Sequence, residues 1–155
     1  MWSYFLDADA LITKRDMYVP PKDVDVIATW RDGMGDLSDR MPYNYGVVIA
    51  APTIGAVSAW AWMADRITRM STPNQKWYGN QIALRELLGP PQKDGTPKVR
   101  HHPWFDVTAV HLPCDTYNWS PEGPDEDITG KLVVHLKGDK RKDLVKHYAE
   151  RILKC

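Results

Sequence analysis

A chain of 155 residues, 43% hydrophobic and 26% charged, is long enough for one domain with its own core, and its ordinary composition excludes a fibrous repeat or global disorder. Twenty Lys plus Arg balance twenty Asp plus Glu, so no field of one sign draws in nucleic acid or an anionic membrane, and a charged ligand must be met locally. Cys114 and Cys155 are too few for a disulfide framework, no apolar run approaches the ~20 residues of a membrane span, and the start lacks a signal-peptide pattern, so a cytoplasmic protein is expected.

Trp2 to Leu6 is a short apolar run that meets acids at Asp7 and Asp9, the pattern of a buried strand entering a functional loop, with Ala10 to Ile12 continuing it. Pro20 and Pro21 break the chain before a second β-type run, Val24 to Trp30; Arg31 to Pro42 is polar loop, and Tyr45 to Ala50 a third strand. Apolar positions three and four apart predict a helix from Pro52 to Met70, and a second from Gln75 to Leu88 is stopped by Gly89, Pro90 and Pro91. Residues 92–103 are basic and turn-rich, Phe105 to Leu112 alternates like a half-buried strand, and Ser120 to Gly130 is an acidic loop. Leu132 to Leu136 is a last strand and Asp139 to Leu153 a closing helix, so the expected class is an α/β layer fold.

In an extended segment, residues two apart project to one side, so Asp7 and Asp9 can present two carboxylates to a hard divalent cation such as Mn²⁺ or Mg²⁺. A polar loop after a strand explains Asp-x-Asp as well. The run His135-Leu136-Lys137-Gly138 with the cations Lys140, Arg141 and Lys142 offers an imidazole, a close backbone approach and charge for a phosphate; a solvated basic helix start is its plain alternative. Seven Trp and seven Tyr against two Phe supply amphipathic rings, which pack cores and also line sugar or base sites.

Four segments in order resemble the GT-A glycosyltransferases, especially the glycogenin-like branch of nucleotide-diphospho-sugar transferases. Phe5-Leu6-Asp7-Ala8-Asp9 is similar to that family's metal motif, and Asn44-Tyr45-Gly46 to its Asn-x-Gly strand. Asn80-Gln81 resembles the Asp-Gln motif beside the donor sugar, and Tyr117-Asn118 followed by His135 to Gly138 resembles the closing His-x-x-Gly-x-x-Lys pattern, with Arg141 at the Lys spacing.

The resemblance implies a GT-A-like, partly Rossmann-like mixed sheet flanked by helices, in a single catalytic domain over residues 1–155. Asp7, Asp9 and His135 would bind Mn²⁺ or Mg²⁺. Asp7, Ala8, Asp9, Asn44, Gly46, Lys137, Gly138, Lys140 and Arg141 would hold a nucleotide-sugar donor, UDP-linked in most of the family, and Asn80 and Gln81 would act at the sugar. Trp77 and Tyr78 are candidates to stack on it. Two departures matter: Asn80 lacks the usual carboxylate, and only six residues precede Asp7 where the family carries a nucleotide-binding half. A truncated form is one expectation, a partner supplying that half another; self-association through a sheet edge at Trp2 to Leu6 fits the second. The acceptor is unnamed.

Two other functions fit parts of the pattern. In a haloacid-dehalogenase-type phosphatase, Asp7 would be nucleophile and Asp9 general acid, with Asp139 and Asp143 placing Mg²⁺. A degenerate transferase that binds sugar or a protein partner without chemistry would account for Asn80.

Overall fold

In the computed structural model, which describes residues 1–14, 18–31, 41–138, 141 and 143–154 apart from the Trp77 side chain, alternation along each strand decides how the layers meet. The described elements in chain order are β1 (Ser3–Leu6), β2 (Ala10–Ile12), β3 (Val26–Trp30), β4 (Tyr43–Ala50), α1 (Ile54–Thr68), α2 (Thr72–Trp77), α3 (Gly79–Leu88), β5 (Lys98–His102), β6 (Phe105–Pro113), α4 (Cys114–Tyr117), β7 (Val133–His135) and α5 (Val145–Leu153). A five-stranded sheet has the order β1-β4-β3-β6-β5, with β3 and β6 parallel and the other neighbours antiparallel. A separate ribbon pairs β2 antiparallel with β7. The fold is therefore a mixed α/β sheet flanked by helices, as expected.

Successive residues of a strand face opposite sides, and the two faces carry two cores. Val26, Ala28, Val48, Ala50, Val107 and Ala109 pack against Ala56, Ala59 and Met63 of α1 and Ala83, Leu84, Leu87 and Leu88 of α3. Ile27, Ile49, Val110 and Leu112 form the opposite face with Val24. A third cluster, Val134, Leu136 and Tyr148, joins the ribbon to α5. Helix α1 begins cleanly because Thr53 caps it: its Oγ accepts the Ala56 N–H at 3.1 Å and donates to Asp25 at 2.5 Å.

Several expected boundaries change for physical reasons. β1 is an edge strand with Tyr4 and Phe5 each 41% exposed, so it is not buried. Asp7 to Ala10 is a turn closed by the Ala10 N–H on the Asp7 carbonyl at 3.1 Å, and β2 leaves for the other sheet instead of continuing β1. The helix expected from Gln75 to Leu88 is two helices meeting at Tyr78, whose ψ of 2° breaks the helical path. β5 occupies the supposed turn-rich stretch, because pairing with β6 supplies the order that its sparse apolar pattern does not announce. The last helix is seen from Val145, and residues 139, 140 and 142 of its expected start lie outside the described residues, as does most of the Arg31 to Pro42 loop.

The core also holds a titratable group. His111 is 1% exposed; its Nδ1 accepts the Gln92 N–H at 2.8 Å, so Nε2 carries the proton of the neutral ring and meets the Tyr43 hydroxyl at 3.0 Å, which donates to the Gly89 carbonyl at 3.0 Å. Burial, then the charge of Lys98, pushes His111 down from 6.5 to about 4. Between those values the unfolded chain binds a proton that the folded chain refuses. The stabilisation is complete above about pH 6.5 and is lost as pH falls toward 4, an effect of about 3 kcal/mol. His111→Gln should flatten the urea-derived stability profile over that window; an unchanged slope would exclude His111 as its source.

Candidate functional site

A bulge in the large sheet builds the site. β3 and β4 run in register from Val26↔Ala50 to Ala28↔Val48 and then jump to Thr29↔Asn44, so Tyr45, Gly46 and Val47 bow away from β3. The Thr29 hydroxyl spans the gap, donating to the Asn44 carbonyl at 2.7 Å, and the Asn44 side-chain oxygen accepts the Gly46 N–H at 3.3 Å. The Gly46 carbonyl in turn accepts the Asp7 N–H at 3.1 Å, which fixes the start of the acidic turn. From the ribbon, the Leu136 N–H holds the Asp9 carbonyl at 2.9 Å. Residues far apart in sequence meet here: His135 Nε2 lies 3.4 Å from Asp7 Oδ2 and 3.2 Å from Asp9 Oδ1.

A hydrogen-bond relay settles which nitrogen of His135 is available. The Asn44 carbonyl can only accept, so the group 3.1 Å away on Asn118 is its Nδ2, which also donates to Thr29 Oγ at 2.8 Å. Asn118 Oδ1 then faces His135 Nδ1 at 2.9 Å and must receive a proton from it. The neutral ring thus keeps its Nε2 lone pair toward the two carboxylates. Burial holds His135 below its ordinary value, while Asp9 and Asp7 pull it up.

Three ligating atoms, two carboxylate oxygens and one imidazole nitrogen, all lie within 4.8 Å of one another. Lone pairs facing each other in a partly buried site repel unless a cation lies between them, and this donor set with its outer-shell amide suits Mn²⁺ or Mg²⁺. On the chemistry of the donors, the residues fit a divalent ion.

The cluster lines a cavity of about 430 Å³, whose other walls include Asn44, Tyr78, Asn80, Gln81, Arg31 and Lys137. Burial lowers the Lys137 pKa, and the neighbouring Arg31 lowers it further. Arg31 Nη2 donates to Gln81 Oε1 at 3.1 Å, which leaves the Gln81 amide N–H groups as its remaining polar face. Asn80 Oδ1 accepts the Gln81 N–H at 2.8 Å. The cavity thus gathers Asp7, Asp9, Asn44, Gly46, Tyr78, Asn80, Gln81, His135 and Lys137 from the residues singled out in sequence, while the Trp77 side chain lies outside the described residues.

Ala8, Gly138 and Arg141 do not line the cavity. Ala8 is exposed on the turn and brings no polar side-chain group. Gly138 takes the left-handed conformation, φ 86°, just after the site strand. Arg141 is paired with Glu122 and does not line the cavity, and Lys140 lies outside the described residues. Sequence reasoning overlooked Arg31 and Thr29. Their signal is a hydroxyl and a cation at the end of an apolar strand, where open sheets commonly place ligand groups.

No protein-family model matches this chain, and no curated protein matches it. Among solved structures, it is similar to a glycosyltransferase involved in the glycosylation of the major capsid of PBCV-1, with a TM-score of 0.58 and 14% identity. The match covers 96% of this chain and 66% of that one, so the chain spans less than two thirds of that structure. At this identity the likeness is one of fold: a glycosyltransferase-like fold. Among the described residues no helix is long and apolar enough to cross a membrane.

Proposed function

We propose that this chain is a divalent-cation-dependent glycosyltransferase that moves a sugar from a nucleotide-diphosphate donor to an acceptor hydroxyl. The observation that carries the reading is the Asn118–His135 relay, which aims Nε2 of the ring at Asp7 and Asp9 on the wall of a cavity that also holds two cations. Asp7, Asp9 and His135 would hold Mn²⁺ or Mg²⁺, which supplies charge neutralisation for a departing diphosphate. Lys137 and Arg31 add fixed positive charge where that leaving group develops its own. Gln81, oriented by Arg31, offers amide hydrogens to sugar hydroxyl oxygens, and Asn80 lies beside it; positioning of this kind lowers the barrier by holding the reacting carbon in place. A glycosyltransferase-like fold supports the same reading.

The test is a panel of nucleotide sugars, UDP-linked donors first, incubated with and without Mn²⁺ while nucleotide diphosphate release is followed. Mn²⁺-dependent release is expected. Phosphate release from a simple phosphomonoester instead would move the chain to the phosphatase class, and no release with intact sugar binding would make it a non-catalytic module.

Asn80 has a prediction of its own. Asn80→Asp restores a charge-assisted hydrogen bond to a donor hydroxyl and should raise kcat for transfer about tenfold, the equivalent of ~1.4 kcal/mol. No gain would count against a role for position 80 at the sugar.

A further inference from the structure

A second cavity, about 320 Å³ in volume and mainly apolar in its walls, shares Arg31, Asn44 and Lys137 with the first. It extends past the end of β3 toward Trp119, and Trp30, Trp119 and Ser120 contribute to its lining. Among the described residues, four buried side-chain polar atoms lack a hydrogen-bond partner, and three of them belong to this lining: Trp30 Nε1, Arg31 Nε and Ser120 Oγ. Buried polar groups are nearly always satisfied, and leaving one unmade costs about 1–3 kcal/mol. The three atoms are themselves shielded, so a ligand in this space completes them as their side chains shift toward it.

The chemistry of these groups restricts that ligand. Trp30 Nε1 and Arg31 Nε can only donate, so the ligand must bring accepting oxygens, and Ser120 Oγ can donate or accept. Trp30 and Trp119 both line the space, each with a lysine over its ring, Lys93 at 5.0 Å and Lys131 at 5.2 Å, so the indole carbon left toward the cavity suits a small apolar face. A sugar ring combines those properties, hydroxyl oxygens at its edge and C–H groups on its face. The volume sits at the low end of the roughly 300–1,000 Å³ common for small-ligand sites, which suits one or two rings.

We propose that the second cavity is the acceptor subsite and that it binds the sugar ring of a glycoside. Its assignment as acceptor subsite rests on the transferase reading of the first cavity; glycoside binding as such does not. In the transfer, an acceptor hydroxyl oxygen bonds to the anomeric carbon of the donor as the bond from that carbon to the diphosphate oxygen breaks. The electron pair leaves with the nucleoside diphosphate, and the hydroxyl proton passes to a diphosphate oxygen.

The experiment is calorimetric titration of the full chain with a set of methyl glycosides and with uridine, in EDTA and without nucleotide. It is repeated on Asp7→Asn/Asp9→Asn, Trp119→Ala, Trp30→Phe and Ser120→Ala. At least one glycoside should bind, keep its affinity in the Asp7→Asn/Asp9→Asn protein, and weaken at least about tenfold in Trp119→Ala, equivalent to ~1.4 kcal/mol. Ser120→Ala deletes a single hydroxyl, and Trp30→Phe removes the indole N–H together with part of the ring; each should weaken it about threefold to tenfold, so they carry the test if Trp119→Ala fails to fold. Binding by no glycoside, binding of uridine alone at these residues, or sensitivity to Asp7 and Asp9 but not to Trp119, Trp30 or Ser120 would each overturn the proposal. Glycoside binding with no Mn²⁺-dependent nucleotide diphosphate release would sink the transferase reading and leave the sugar site standing.

Discussion

Replacing Asp7 and Asp9 together by Asn is expected to remove the proposed Mn²⁺ site and to lower the proposed nucleotide diphosphate release at least about a hundredfold, equivalent to roughly 3 kcal/mol in the barrier. The amides keep the shape of the turn but take away both charges opposite His135 Nε2, where the carboxylate oxygens now lie at 3.4 and 3.2 Å. Asp7 is half exposed, and the backbone bonds of the turn do not involve either carboxylate, so folding should survive. Asn118→Leu is the companion change. It touches no ligand position, yet it frees His135 Nδ1 and should weaken Mn²⁺ binding about ten- to a hundredfold, the usual effect of losing an outer-shell partner. Manganese titration followed by paramagnetic resonance reads both variants. Unchanged affinity in the double Asn protein would show that the ion binds elsewhere.

Gly46→Ala should be nearly as damaging by a different route. A Cβ at this position would lie 2.2 Å from His135 Cε1 and Nδ1 and 3.0 Å from Asn118 Oδ1. The ring has little room to give way. Its backbone N–H is held by the Trp119 carbonyl at 2.7 Å, its Nδ1 by Asn118, and the residue is 2% exposed. Forced overpacking of this kind costs about 1–3 kcal/mol, and turning the ring aside also breaks the relay that sets its tautomer. Lower stability in urea and lost Mn²⁺ binding should therefore appear together. Adding His135→Ala to Gly46→Ala makes space for the methyl group, so stability should recover while Mn²⁺ binding does not. Failure of the second change to restore any stability would mean that Gly46 acts through something other than contact with His135.

The chemistry of this site is more legible in the sequence than its geometry. Asp7, Asp9, His135 and Lys137 are polar residues at the ends of apolar runs, and that pattern can be read without coordinates. Their meeting point cannot. It depends on β2 crossing to a second sheet and on the shift of register at Thr29, neither of which leaves a local mark. Asn118 is a buried polar residue whose meaning comes wholly from tertiary partners, Thr29, Asn44 and His135. β5 hides for a related reason: of Lys98 to His102 only Val99 is an apolar aliphatic residue, and β6 supplies its hydrogen bonds. The cores that position the site, by contrast, follow from strand alternation and helical spacing, which act over a few residues.

The ribbon that joins Ala10–Ile12 to Val133–His135 is also expected to set an order of events in time. Closing a loop of that length is entropically expensive before any contact within it offsets the cost, and pairings between distant segments are slow to form. Neighbouring segments such as β5 and β6 can zip early. The acidic turn and the imidazole come into register only when that long-range pairing closes, so a refolding chain should form its β5–β6 hairpin first and the proposed ion site afterwards.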